Sequence, residues 1–137
     1  MKKIVISGGN SGIGLEAARQ LTAQGHQVVL LGRDAQKGAA AVASLGAKAE
    51  FMSVDLSSIA GVKAAAEQVL AKHPKIDALL NGAGTLTLAA VRTVDDLHPV
   101  FAVNYLSRYM LTQKLLPALR GNPAGKVVLL VAGIKLD

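Results

Sequence analysis

The sequence predicts an α/β fold, an open doubly wound parallel sheet with helices on both faces. Three observations carry it. Short apolar runs alternate with helix-patterned stretches from one end of the 137 residues to the other. The short runs are apolar throughout rather than at every second residue, as in strands covered on both faces. And a glycine-rich loop follows the first run directly. Five βα repeats with right-handed crossovers satisfy all three.

The elements follow in order. Residues 3–7 (Lys-Ile-Val-Ile-Ser) form the first strand, stopped by Gly8-Gly9. Residues 13–23 have helical spacing, with Ile13, Ala17 and Leu21 on one face, and Gly25 closes the helix. Residues 27–31 are the second strand. Asp34 caps an alanine-rich helix reaching Leu45, ended by Gly46. Residues 48–54 are the third strand, and Ser57 or Ser58 opens a helix to Lys72, where His73-Pro74 stops it. Residues 76–80 are the fourth strand. Residues 93–120 read as helical, broken at Pro99, and residues 127–131 are the fifth strand.

Composition narrows the function. The chain is 51% apolar and 18% charged, enough apolar content for one buried core and too much for disorder. Aromatics are 3%, with no tryptophan, so Ala, Val, Leu and Ile build the core. With no cysteine, disulfides, thiolate metal sites and cysteine nucleophiles are excluded, and the natural compartment is the cytoplasm. Fifteen Lys and Arg against nine Asp and Glu give a net charge of +6. The cations are scattered, the longest run being Lys2-Lys3, which argues against a nucleic-acid face and leaves a general field that favours phosphorylated small molecules. No apolar run approaches the roughly 18 residues of a membrane span, and the two lysines and short apolar run before the glycines do not make a signal peptide. His26, His73 and His98 have no metal-ligand spacing, so no metal is expected.

The loop Ser7-Gly8-Gly9-Asn10-Ser11-Gly12-Ile13-Gly14 joins the first strand to the first helix. Helix N-termini carry unpaired N–H groups and partial positive charge, and glycines let the backbone come close to a phosphate. The spacing is Gly-x3-Gly-x-Gly. It is neither the Gly-x-Gly-x-x-Gly fingerprint nor a P-loop, which disfavours ATP hydrolysis. The plainer alternative is a turn that only packs helix on sheet; its place between strand and helix favours nucleotide phosphate.

At this loop the chain resembles the short-chain dehydrogenase/reductase superfamily, whose first loop reads Thr/Ser-Gly-x3-Gly-x-Gly. Three further segments are similar in order and spacing: Val54-Asp55-Leu56 to the family's adenine-contacting Asp, Asn81-Gly82-Ala83-Gly84 to its Asn-Asn-Ala-Gly, and Val103-Asn104-Tyr105-Leu106 to the stretch carrying its helix-borne Asn. Together they span residues 3–131. The resemblance implies a Rossmann-like three-layer sandwich of strand order 3-2-1-4-5 and an oxidoreductase acting on an alcohol or carbonyl of a small-molecule substrate. It implies that Gly8, Asn10, Ser11, Gly12, Ile13 and Gly14 hold the pyrophosphate, that Asp55 and Leu56 meet the adenine, and that Asn81, Ala83 and Gly84 line the ribose and nicotinamide. Asn104 would hold a water in a proton relay. Each has a plainer reading beside it: a helix-start acid for Asp55, a turn for the segment 81–84, an amide bonding a neighbouring strand for Asn104.

The second strand ends Leu31-Gly32-Arg33-Asp34. An acid there selects NAD through the ribose 2′-OH, and a cation selects NADP through the 2′-phosphate. Arg33 matches the family's NADP-selecting arginine, Gly32 stands where its NAD-selecting acid would be, and Asp34 fits a helix cap, so NADP is expected over NAD. Position 11, often basic in NADP-binding members, is Ser. The apolar face of the last helix (Met110, Leu111, Leu115, Leu116 and Leu119) covers the sheet, and the family's matching helix also builds a dimer, which implies a homo-oligomer through the long helix after Pro99.

The family's catalytic Ser and Tyr-x3-Lys do not appear. Val131-Ala132 stand where Ser is expected, and neither Tyr105 nor Tyr109 has Lys four residues on. The sequence thus reads as the dinucleotide-binding domain of a longer reductase, residues 1–137, with a non-catalytic nucleotide-binding module or degenerate relative as the alternative.

Overall fold

The structure, a computed structural model, describes residues 1–131; position 132, where the family's Ser was looked for, lies outside the described residues. Five parallel strands, β1 (Lys3–Ser7), β2 (Gln27–Gly32), β3 (Ala49–Ser53), β4 (Ala78–Asn81) and β5 (Lys126–Leu129), form one sheet in the order β3-β2-β1-β4-β5. This is the expected Rossmann-like order. Val5 on the central strand lies opposite Val29 of β2 and Leu79 of β4.

Uniformly apolar strands make sense once both sheet faces are counted. Ile4 and Ile6 of β1 pack with Val28, Leu30, Ala18 and Ala41 on the side of α1 (Gly12–Ala23) and α2 (Ala35–Leu45). Val5 turns the other way and joins Val29, Leu31 and Leu79 against α3 (Ile59–Lys72) and α5 (Ser107–Leu119). On that second side Val62, Val69, Leu111 and Leu115 are all but fully buried. The expected sheet-covering role of the apolar face on the last helix therefore holds for Leu111, Leu115 and Leu119. With few aromatics to fill gaps, small residues bring the helices close. A Cβ on Gly38 of α2 would sit 2.2 Å from the ring of Phe51 on β3.

The helix starts follow from local chemistry. Asp34 accepts the Gln36 and Lys37 amides at 2.9 and 3.2 Å, and Ser58 accepts the Gly61 amide at 2.9 Å. The expected helix from Thr93 does not form. Residues 93–98 make a turn closed by the Thr93 amide on the Leu97 carbonyl (2.8 Å), with Asp96 at φ 58°. Helix begins at α4 (Pro99–Phe101), with His98 Nδ1 accepting the Val100 amide at 3.2 Å. Proline suits the first helical position because its missing N–H would go unpaired there anyway, so Pro99 opens the helix instead of breaking it. Between α4 and α5, residues Ala102–Leu106 widen into a π-helical turn that the sequence did not announce.

Among the described residues no helix is long and apolar enough to cross a membrane, and no cluster of His, Asp and Glu has metal-binding geometry. β5 is an edge strand, with Val127, Val128 and Leu129 all exposed.

Candidate functional site

A parallel sheet whose connections leave β1 in opposite directions opens a crevice at the C-terminal strand ends. Here that crevice is a cleft of about 660 Å³. Its floor is a lock between β1 and β4. The buried Ser7 hydroxyl accepts the Gly82 and Ala83 amides at 3.1 and 3.2 Å, and the Gly82 amide also meets the Ser7 carbonyl at 3.1 Å. Gly8 then turns at φ 72°, where a Cβ would lie 2.9 Å from the Ala83 backbone. Gly14, in the first turn of α1, packs so closely that a Cβ would lie 2.3 Å from the Gly8 carbonyl oxygen. Only glycine allows the loop, the helix start and the β4 end to meet this tightly.

The α1 N-terminus is left open. Ser11 stands at the cap position in extended conformation and its hydroxyl makes no capping bond. Ser11, Gly12, Ile13 and Gly14 all line the cleft, so unpaired first-turn amides and the positive end of the helix dipole stand at its wall. Asn10 lines it too, its amide filling the space above Gly32 where a Cβ would come within 2.6 Å.

At the β2 and β3 ends, Arg33 and Asp55 face each other, Nη2 to Oδ1 at 4.0 Å. Arg33 is 76% exposed. Asp55 Oδ1 accepts the Ser57 hydroxyl at 2.6 Å and the Ser57 amide at 2.9 Å. The Ser57 hydroxyl bond, against partial burial and with help from the Ser57 amide and the Arg33 charge, holds the Asp55 carboxyl below the ordinary aspartate range. Leu56 lines the cleft while packing into the core beneath it.

The β4 and β5 ends are organised differently. Ala83 and Gly84 line the cleft. Asn81 is buried under it: its Nδ2 donates to Thr112 Oγ1 at 3.0 Å, and its Oδ1 has no partner. Asn104, in the π-helical turn, spends both amide atoms on Thr85, accepting its N–H and donating to its carbonyl, each at 2.8 Å. So the structure gathers eleven of the thirteen sequence-predicted residues at the cleft wall, and sets Asn81 and Asn104 behind it.

Sequence reasoning missed Arg92 and Thr93 on the cleft rim and, above all, Arg108. Arg108 Nε and Nη2 donate to the Ala83 carbonyl at 3.2 and 2.9 Å, and Nη1 to the Leu130 carbonyl at 2.6 Å. Burial pushes its pKa down from the ordinary arginine value. Its spacing of four from Asn104 was the one available signal, since both then share a helix face.

Known proteins match this architecture. Residues 2–134 match the family described as short chain dehydrogenase. A mouse (Mus musculus) retinol dehydrogenase 12 is 36% identical over 132 residues, covering 93% of this chain and 42% of the relative. Among solved structures, a metagenomic short-chain oxidoreductase in complex with NADP superposes with a TM-score of 0.81 at 30% identity, covering 93% of this chain and 61% of that one. An NADP active-site complex of Pseudomonas aeruginosa RhlG gives 0.78 at 31% identity, covering 93% and 53%. The chain thus spans less than two thirds of the length of each of these proteins.

Proposed function

The chain belongs to the short-chain dehydrogenase family, and from that premise we propose that residues 1–137 supply the dinucleotide-binding domain of an NADP(H)-dependent oxidoreductase acting on an alcohol or carbonyl of a small molecule. The observation that carries the cofactor choice is the division of labour after β2. Gly32 has no side chain, Asp34 commits its carboxylate to the α2 amides, and Arg33 alone extends from the strand end with most of its surface free. Two helix amides on its Oδ1 tie Asp34 to the start of α2, and an outward-reaching, mostly exposed guanidinium suits a 2′-phosphate.

The cleft fits the group on its own terms. Gly8 and Gly14 pack the loop, the helix start and the β4 end too tightly for any Cβ, and the uncapped α1 start that this packing places at the cleft offers amides to a pyrophosphate. Asn10, Ser11, Gly12 and Ile13 complete that wall. Asp55, pre-set by Ser57, accepts from the adenine amino group, and Leu56 packs beside it. Ala83 and Gly84 take the ribose and nicotinamide side, supported from behind by Asn81. Asn104 enters as a positioning residue that fixes the segment after β4 through Thr85. The nicotinamide, when bound, supplies hydride transfer. A second copy of the chain is the natural cover for Phe101, Tyr105 and Tyr109, which are exposed along α4, the π-helical turn and α5.

Arg33→Ala tests the reading. NADPH affinity should fall about tenfold or more, in line with loss of a charge-assisted phosphate contact, while NADH affinity barely moves. Equal losses would overturn the 2′-phosphate assignment. The alternative reading is a nucleotide-binding module without chemistry. Turnover of a carbonyl panel with NADPH separates the two.

A further inference from the structure

Arg108 is a cation in an unusual place. It reaches from α5 to the carbonyls that end β4 and β5, and all three of its hydrogen bonds go to neutral backbone oxygens, those of Ala83 and Leu130. Among the described residues it makes no ion pair. Its Nη2 lies 3.5 Å from where a Cβ on Gly84 would be, so the guanidinium stands directly behind the cleft wall at Ala83 and Gly84. Partial burial keeps water from screening it fully.

The charged side chains on the cleft wall itself are Arg33, Asp55 and Arg92. Arg33 and Asp55 follow β2 and β3, on the far side of β1 from Arg108. Strands lie about 4.8 Å apart, so roughly two to four spacings, about 10–19 Å, separate the two flanks. The two ends of the cleft therefore sit in different local fields.

We propose that Arg108 biases the bound cofactor toward its reduced form. The inference rests on the dinucleotide reading above, which gives the Ala83–Gly84 end to the nicotinamide. Oxidised and reduced cofactors carry the same phosphates, and the groups that hold those phosphates contribute equally to both. The two forms differ at the ring, which is cationic when oxidised and neutral when reduced. A fixed positive charge behind the ring end repels only the oxidised form. Backbone carbonyls orient the guanidinium but do not neutralise it. The arginine is thus a specificity-determining residue for cofactor redox state, and it tilts the protein toward work as a reductase.

The test compares dissociation constants for NADPH and NADP⁺ in the wild type, Arg108→Gln and Arg108→Lys. Glutamine keeps a donor for the carbonyls and removes the charge; lysine keeps the charge. The wild type should bind NADPH more tightly than NADP⁺. Arg108→Gln should shrink that ratio by roughly three- to tenfold, the size expected for one partly screened charge at such range, mainly by tightening NADP⁺. Arg108→Lys should retain the ratio. Equal weakening of both forms in Arg108→Gln would mean a structural role only and overturns the proposal. Should that variant fail to fold, the wild-type ratio still decides, since equal affinities for the two forms refute the bias. A wild type that binds neither form defeats the cofactor reading itself, and this inference with it.

Discussion

The two ends of the cleft are built by different means. On the β1–α1 side the wall is backbone: a glycine turn, an uncapped helix start and a β4 loop brought within contact through Ser7. On the β4–β5 side the wall is backbone held in place by side chains that arrive from a helix some twenty residues away. Asn104 takes Thr85 by both amide atoms, and Arg108 takes Ala83 and Leu130. The first end is intolerant of added atoms. The second is intolerant of lost ones. A binding wall made by exclusion is rigid by packing, whereas one made by tethering is only as rigid as its hydrogen bonds.

Substitutions can break that comparison. The largest effect should come from filling the cradle. Gly14→Val places carbon where the Gly8 carbonyl stands, and should cost about 3 kcal/mol of stability by overpacking, together with cofactor binding. Gly12→Ala makes the control. It meets no neighbour, and only its φ of 56° is strained, so about 1 kcal/mol is expected. Denaturant midpoints check both, and similar losses in the two variants would show that crowding is not what governs this end.

Next comes the tethered end. Asn104→Leu leaves the Thr85 N–H and carbonyl without their partner, a loss of about 1–2 kcal/mol. It should appear as fast amide exchange at Thr85 with the β1–α1 loop unchanged. If protection at Thr85 survives, the tether is not what holds the segment.

The smallest effect is on the acid slope of stability. Because the folded Asp55 carboxyl is held below its ordinary range, its contribution is fully present above that ordinary value. It is lost as pH falls through the lowered folded value. The group is about half exposed, so the term should stay under about 1 kcal/mol. Asp55→Asn should lower stability at neutral pH by that amount, leave the most acid end nearly untouched and so flatten the slope between them; an unchanged acid slope would dismiss the Ser57 and Arg33 contacts as energetically idle.

The same contrast explains what could be read beforehand. Residues whose placement depends on their immediate neighbours were legible. Gly8 to Gly14 are fixed by one strand end and one helix start, and Arg33 and Asp55 follow directly from the strands that carry them. The two-faced core followed from the apolar runs in the same way, and the strand order from the family resemblance. Asn81 and Asn104 were legible as polar residues at telling positions, but not in their aim, because their partners Thr112 and Thr85 lie 31 and 19 residues off. Arg108 gave no signal beyond its spacing from Asn104 for that reason too, its partners being 22 and 25 residues away. Pro99 was ambiguous in principle, since the same ring that breaks a helix interior suits its first position.

The widened turn at Ala102–Leu106 acts as a phase adjuster. Pro99 before it and Val103 within it answer to the cleft, and Leu111, Leu115 and Leu119 beyond it answer to the sheet. A wide turn stores a surplus residue that lets one continuous rod satisfy both appointments. Each residue in a regular helix turns the following ones by about 100°. The wide turn takes up one residue without passing that rotation on, so a chain one residue shorter here can close to a regular turn and keep the leucine stripe on the strands. In this stretch, then, a one-residue difference in length is absorbed where it occurs, whereas the same change within α5 is felt as a rotation of everything downstream.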